Sequence, residues 1–421
     1  MKRLWWVIGI MGLVVVGLVV GRPLWARDAA PPAASLEALP PAGSGEGFAR
    51  ATEPNAIAFP RDLGAHDDYQ TEWWYYTGNL QTADGRPFGF QFTIFRRALT
   101  PEDVLSADLA DSADLRGSSE SAQSAQSADQ SSSWRTEQVY LAHFTISDIA
   151  ADAFYPAERF SRGAAGLAGA AAAPYRVWLE DWSVEQVAPG QVRLRAQMGD
   201  VATGEVALDL VLTETRPPVL HGDGGLSQKG PERGNASYYY SLIGQQAAGT
   251  VVAGGERFDV TGLAWKDHEW STSALSEGAV GWDWVSLQMD DGGALMLFEI
   301  RGGAGDDGRG GSQTRPYNAG TYVAPDGTLT HLTQADWTLE VTDTWSSPTS
   351  GGEYPAGWRI SVPSVGLELR GRPQMADQEL NVSTVYWEGA VAFEGTRDGA
   401  PVSAEGYIEL TGYAGSMEGR L

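Results

Sequence analysis

Along most of the chain, apolar and polar residues alternate one by one rather than recurring every three or four positions. Phe88, Phe90, Phe92 and Ile94 fall on one side of a run in which Gly89, Gln91 and Thr93 take the other. A period of two is the pattern of a strand with one face in a core. The run Thr71 to Leu80 comes before it, with Ala83-Asp84-Gly85-Arg86 in between. An Asp-Gly turn joining two such runs predicts a β-hairpin. Trp73, Trp74, Tyr75 and Tyr76 place aromatic rings on both faces of the first strand, as expected of a strand between a core and a pocket. Further strand-like runs follow at 138–147, 175–179, 182–185, 192–196, 206–214, 238–243 and 258–270.

The second half restates this order. Trp282 to Gln288, the turn Asp290-Asp291-Gly292 and Leu295 to Arg301 echo the first hairpin. Asp336 to Val341 answers Asp181 to Glu185, and Val365 to Arg370 answers Val206 to Glu214. Residues 385–389 and 406–413 answer 238–243 and 260–263. A repeat spaced by about 150 to 210 residues is a domain duplication and not a solenoid. Each copy offers roughly eight to ten short strands, the number of a small closed barrel able to hold one ligand. The predicted fold is therefore all-β, with one antiparallel β-barrel domain over 55–275 and a second over 276–421.

The N-terminus breaks the pattern. Lys2-Arg3 precede the uncharged run Leu4 to Gly21, which predicts an apolar helix over residues 1–27 as a signal or single-span anchor. The Ala/Pro/Gly-rich residues up to 54 read as a flexible linker, and the Ser-Ala-Gln repeats of 101–134 as a disordered loop. The globular part is expected outside the cytoplasm, anchored or exported. A formal charge of -25 excludes a nucleic-acid partner, and zero cysteines excludes disulfides and thiolate chemistry.

The richest stretch is Trp265-Lys266-Asp267-His268-Glu269-Trp270. Alternation puts Trp265, Asp267 and Glu269 on one face and Lys266, His268 and Trp270 on the other. Acids and an imidazole between tryptophans are costly to bury without partners and suit a pocket with tuned pKa values. Asp267, His268 and Glu269 are therefore the candidate catalytic residues. Glu72 joins them, because pairing of 72–76 with 265–270 would bring it to His268. Trp73, Trp74, Tyr76, Trp265, Trp270, Trp282, Asp283 and Trp284 are the candidate ligand-binding residues. The other histidines are scattered and read as surface or loop positions, with His66 as a further neighbour of the site. No His-x-His or His-Glu-x-x-His spacing supports zinc, no Gly-x-Ser-x-Gly elbow supports a serine hydrolase, and no cofactor is expected.

The Glu72-Trp73-Trp74-Tyr75-Tyr76-Thr77-Gly78-Asn79-Leu80 strand, Phe88-Gly89-Phe90-Gln91-Phe92 and Asp267-His268-Glu269-Trp270-Ser271 resemble the AttH/carotenoid 1,2-hydratase family over about residues 55 to 421. The resemblance implies two tandem lipocalin-like domains and an apolar, lipid or isoprenoid ligand. It implies hydration of a double bond in some members, with a hydrolase reading and an accessory role beside an ABC-type exporter as alternatives. The family's His-x-Trp matches His268 and Trp270. The tyrosine and aspartate that the hydratases carry downstream have no clear counterpart, the nearest region reading Phe298-Glu299-Ile300.

Overall fold

A computed structural model describes residues 45–101, 136–199, 204–272, 278–302 and 317–417. The strands of the first sheet are β1 (Thr71–Gln81), β2 (Pro87–Ala98), β3 (Gln138–Asp148), β4 (Ala153–Arg162), β5 (Ala168–Ala172), β6 (Tyr175–Leu179), β7 (Trp182–Ala188), β8 (Gln191–Met198), β9 (Val206–Thr213), β10 (Val219–Leu220), β11 (Leu226–Gln228), β12 (Ala236–Ala253) and β13 (Glu256–Ser271). Those of the second are β14 (Ala279–Met289), β15 (Ala294–Gly302), β16 (Ala319–Val323), β17 (Leu329–Thr333), β18 (Thr338–Ser346), β19 (Glu353–Val362), β20 (Leu367–Pro373), β21 (Glu379–Asn381), β22 (Val385–Arg397) and β23 (Ala400–Leu410). The strand order is β4-β3-β2-β1-β13-β12-β9-β8-β7-β6-β5 in one and β17-β16-β15-β14-β23-β22-β20-β19-β18 in the other. The two orders match strand for strand, except that among the described residues the second has no counterpart of β5 or β6.

Every paired neighbour is antiparallel, and the sheets curl into one nearly closed barrel and one half-barrel. The expectation of two closed barrels is thus corrected for the second. The apolar run Leu4 to Gly21, most of the linker up to 54 and nearly all of the loop at 101–134 lie outside the described residues. No helix among the described residues is long and apolar enough to cross a membrane. The end of the expected linker, residues 45–54, packs on the first sheet: Ala51 is fully buried, and Ala49 N–H donates to Asp68 O at 2.9 Å.

Local chemistry explains the hairpins. Asp398 and Gly399 both take positive φ between β22 and β23, as a two-residue turn that follows strand twist requires. Burial follows the alternation: Phe88, Phe90, Phe92 and Ile94 are all buried in the first core with Trp74, Tyr76 and Trp182. Leu287, Trp358, Leu367 and Ile408 belong to the second core. A third cluster joins the sheets, with Tyr75, Tyr239 and Trp265 meeting Trp284, Phe298 and Tyr407. At this seam Gly89 has no room for a side chain, since a Cβ there would stand 2.5 Å from the Tyr407 hydroxyl.

Strand β13 changes character along its length. Its first half is largely exposed, with Val260 alone buried from Glu256 to Leu263, while Ala264 to Ser271 are buried on both faces. The Lys-Asp-His-Glu run therefore lies wholly inside the protein, with one face toward the first barrel and the other toward the seam.

Candidate functional site at the seam between the sheets

Strand pairing sets the site. β13 lies between β1 and β12, so His268 is flanked by Trp74 and Tyr240, and Asp267 by Tyr75 and Ser241. Side chains of paired residues share a face. Two separate polar groups result, one on each side of the sheet.

On the inner side, Glu72 is fully buried and collects four donors. His268 Nε2 lies 2.8 Å from Oε1, His66 Nδ1 2.7 Å from the same oxygen, and Arg96 Nε and the His66 backbone N–H bond Oε2 at 2.8 and 2.9 Å. Burial alone would raise the Glu72 pKa; Arg96 and the two imidazoles reverse this and hold it far below the usual carboxylate range. Burial pushes His268 down to about 3. Neutral His268 therefore carries its proton on Nε2 toward Glu72, and its Nδ1 accepts from the Tyr240 hydroxyl at 3.0 Å. His66, stacked on Trp270 at 3.7 Å, is raised to about 8 because Asp62 and Glu72 outweigh its burial. Lys266 donates to Tyr240 at 3.1 Å, lies near the rings of Tyr175 and Tyr76, and is lowered by burial to about 7.

His66, Glu72 and His268 also make up a group of metal-ligand types that their spacing along the chain gave no reason to expect. Their donor atoms lie 2.7 and 2.8 Å apart, hydrogen-bond separations, whereas ligands about 2.0 Å from a tetrahedral ion would stand roughly 3.3 Å from one another. Arg96 on the same carboxylate adds a repelling charge. The arrangement fits an ion pair that fastens the segment before β1 over the barrel better than it fits a metal.

On the seam side lies a cavity of about 150 Å³. Trp73, Tyr75, Tyr239, Trp282, Trp284 and Phe298 supply most of its apolar wall, and Asp267, Glu269, Glu409 and Lys229 its charged groups. Asp267 accepts from Trp265 Nε1 at 2.7 Å, from the Tyr239 hydroxyl at 2.8 Å and from Ser241. Burial overrides these donors and pushes it up to about 7. Glu409, from β23, accepts from Trp282 Nε1 at 2.8 Å and is likewise pushed by burial to about 7, with Asp267, Glu269 and Asp283 adding to the effect. Its cross-strand partner Glu388 accepts from the Tyr75 hydroxyl and is raised well above its ordinary value by burial. Glu269 is instead paired with Lys229 at 3.0 Å, whose ammonium sits 3.9 Å from the centre of the Phe298 ring.

The predicted residues thus divide. Asp267, Glu269, Trp73, Trp282 and Trp284 line the seam cavity. Trp265 stands behind Asp267 as its donor. Glu72, His268, Trp74, Tyr76 and Trp270 belong to the inner side and do not line that cavity. Asp283 does not line it either: it is bound to Arg301 Nε at 2.8 Å and to the Tyr413 hydroxyl at 2.8 Å. His143 and His221, read as surface or loop residues, are buried on β3 and beside β10, while His331 is exposed. Sequence reasoning missed Glu409, Glu388, Tyr239 and Lys229. An acid in the second copy of the strand that carries Asp267 was the available signal for Glu409.

A family model described as AttH-like matches residues 50–413. The chain belongs to the AttH-like family. The solved structure of a candidate AttH from Nitrosomonas europaea is 33% identical, with a TM-score of 0.68 over 87% of this chain and 100% of that one. Kievitone hydratase from Nectria haematococca shares the fold at 13% identity and a TM-score of 0.59, over 88% of this chain and 97% of its own. Comparison with curated proteins finds no match.

Proposed function

We propose that this AttH-like protein takes up an apolar, lipid- or isoprenoid-class molecule at the seam and transfers a proton to it, as in hydration of a carbon–carbon double bond. The observation that carries the reading is the pair Asp267 and Glu409, carboxyl groups that titrate near neutrality inside an aromatic-walled cavity. A carboxyl group that burial raises toward neutrality can hold a proton at working pH and give it up. The proton forms a new C–H bond with the alkene's π electrons, and the cation left on the adjacent carbon lies among the faces of Trp73, Trp282 and Trp284. Water then adds to the cation and loses a proton to a base. The cavity matches in size an engineered hole of about 150 Å³ that accepts benzene, so it fits one isoprenoid-sized unit of a longer molecule.

Mass spectrometry of lipid extracted from the natively purified protein tests the reading, together with turnover of the molecule found. Asp267→Asn and Glu409→Gln should retain that ligand and lower turnover by at least about 100-fold, the usual contribution of a general acid. Unchanged turnover in both variants would overturn the role of these acids, no turnover in the parent would leave a binding protein, and absence of any apolar ligand would end the proposal. We also place the protein outside the cytoplasm, on the basic residues before the apolar run Leu4 to Gly21. A reporter fused at Ser44 that worked only in the cytoplasm would overturn that placement. Co-purification with transporter subunits would favour the exporter-accessory role.

A further inference from the structure

The proposed reaction needs a base as well as an acid, and Glu269, which stands beside the acids, is engaged by Lys229 and Ser237. Beside the main cavity lies a smaller one of about 60 Å³, and Phe95, Trp282 and Glu409 contribute to both. His143 and Tyr386 line it. On β3 and β4, His143 and Glu158 are cross-strand partners, and His143 Nε2 lies 3.2 Å from Glu158 Oε2. Its other nitrogen, Nδ1, lies 2.7 Å from the hydroxyl of Tyr386, which comes from β22 of the second sheet. The Ser383 hydroxyl donates to the same Glu158 oxygen. Glu158 and Ser383 keep partial exposure, while His143 and Tyr386 are buried.

We propose that Glu158, His143 and Tyr386 form a carboxylate–imidazole–phenol relay that deprotonates the water added to the ligand, with Tyr386 as the catalytic group and His143 and Glu158 as positioning residues. The inference rests on the hydration reading of the seam. The relay depends on which imidazole tautomer is present. The Glu158 carboxylate holds a proton on His143 Nε2, which leaves a lone pair on Nδ1, so the Tyr386 hydroxyl donates to it. The phenolic oxygen then has lone pairs to offer a water in the small cavity, whose volume exceeds the roughly 10–15 Å³ that one water requires.

In the step itself, the water oxygen forms a C–O bond with the cation as one of its O–H bonds breaks. That proton passes to the Tyr386 oxygen while the phenol's own proton passes to His143 Nδ1. The resulting imidazolium faces Glu158; its Nδ1 proton then returns to the Tyr386 oxygen as the phenol passes a proton through water in the small cavity to the Glu409 carboxylate, which leaves Nε2–H in place and restores both acid and base. Burial raises the Tyr386 pKa well above its ordinary value, so the phenol does not ionise alone and must hand its proton on as it takes the next. Burial also works to raise Glu158, but the hydrogen bonds from His143 and Ser383 outweigh it and keep the carboxylate ionised. Because Glu409 borders both cavities, a double bond lying across it meets the acid from one chamber and the water from the other.

Two measurements that need no identified substrate test the relay. Nitrogen-15 NMR of the histidine-labelled protein, which has five histidines, should show His143 protonated on Nε2 and accepting a hydrogen bond on Nδ1. Tyr386→Phe, a change of one hydroxyl, should move the Nδ1 signal toward that of a free imine nitrogen and leave Nε2 in place. A proton found on Nδ1 would overturn the proposal, because the phenol would then be the acceptor.

The second measurement uses methanesulfonyl fluoride. Its sulfur should bond to the Tyr386 oxygen as fluoride leaves and the phenolic proton goes to His143. Peptide mapping should find Tyr386 labelled at least tenfold faster than Tyr239, with that excess lost in His143→Gln and Glu158→Gln and kept in Asp209→Asn, on the outer face of β9. Labelling of Tyr386 no faster than Tyr239, or unaffected by His143→Gln, would refute the relay. Labelling that meets expectation in a protein without an apolar ligand would instead refute the hydration reading and leave the relay standing.

Discussion

The central strand pair of each sheet presents the seam with the same kind of partnership. In the first it is Tyr75 opposite Asp267, and in the second Trp284 opposite Glu409. The inner faces of those pairs share nothing. In the first barrel they carry Trp74 opposite His268 and Tyr76 opposite Lys266, whereas in the second they carry Val285 opposite Ile408. The comparison teaches where chemistry is concentrated. Both copies contribute a buried acid beside an aromatic ring to the face they share, while the network of Glu72 with Arg96 and two imidazoles belongs to the inside of the first. An inner network fastened by Arg96 has the character of structure, and a seam where burial raises Asp267 and Glu409 toward neutrality has the character of function.

The comparison breaks most sharply at Glu72. Removing one member of a buried ion pair leaves an uncompensated charge and costs about 3–5 kcal/mol. Glu72→Gln, which strands Arg96, should lower the unfolding free energy by that amount in urea titrations, and Glu409→Gln should cost far less. Equal losses would erase the distinction between the two faces.

A smaller effect sharpens it through pH. Asp267 and Glu409 bind protons more tightly in the folded state, so their contribution to stability is full below the ordinary carboxylate range and is lost as pH rises to about 7. Lys266 has the opposite sign: it is neutral in the folded state above about 7 but charged in the unfolded chain up to about 10.5, so stability rises with pH across that window. Asp267→Asn with Glu409→Gln should flatten the fall below pH 7, and Lys266→Met should flatten the rise above it. Each group can contribute a slope of at most about 1.4 kcal/mol for every pH unit crossed within its window, and melting temperatures measured from pH 4 to 10 would reveal both changes. The same slopes in the variants as in the parent would show that these groups titrate normally.

Much of this was legible in the chain. Period-two alternation and glycine turns gave the strands, and the echo of one half in the other gave the duplicated strand order. Placing 72–76 beside 265–270 followed from where aromatic and charged residues cluster, and it is the register observed. The division of Asp267 and Glu269 from His268 also follows from alternation alone.

What remained hidden depends on contacts between distant segments. Tyr75 meets Glu388 and His143 meets Tyr386 across more than two hundred residues of chain. Alternation determines that a strand has two faces; it does not say which becomes the inside of a barrel and which the boundary between two. That choice is made when the sheets curl and dock, because only then does burial fall on particular carboxyl groups and raise them toward neutrality. The sequence by itself therefore determined the strands, their order and the residues able to do acid–base chemistry. Tertiary structure decided that the cavity is the seam, that Glu409 shares it with Asp267, and that Glu72 and His268 are locked behind it, since desolvation and charge pairing are properties of a place in three dimensions.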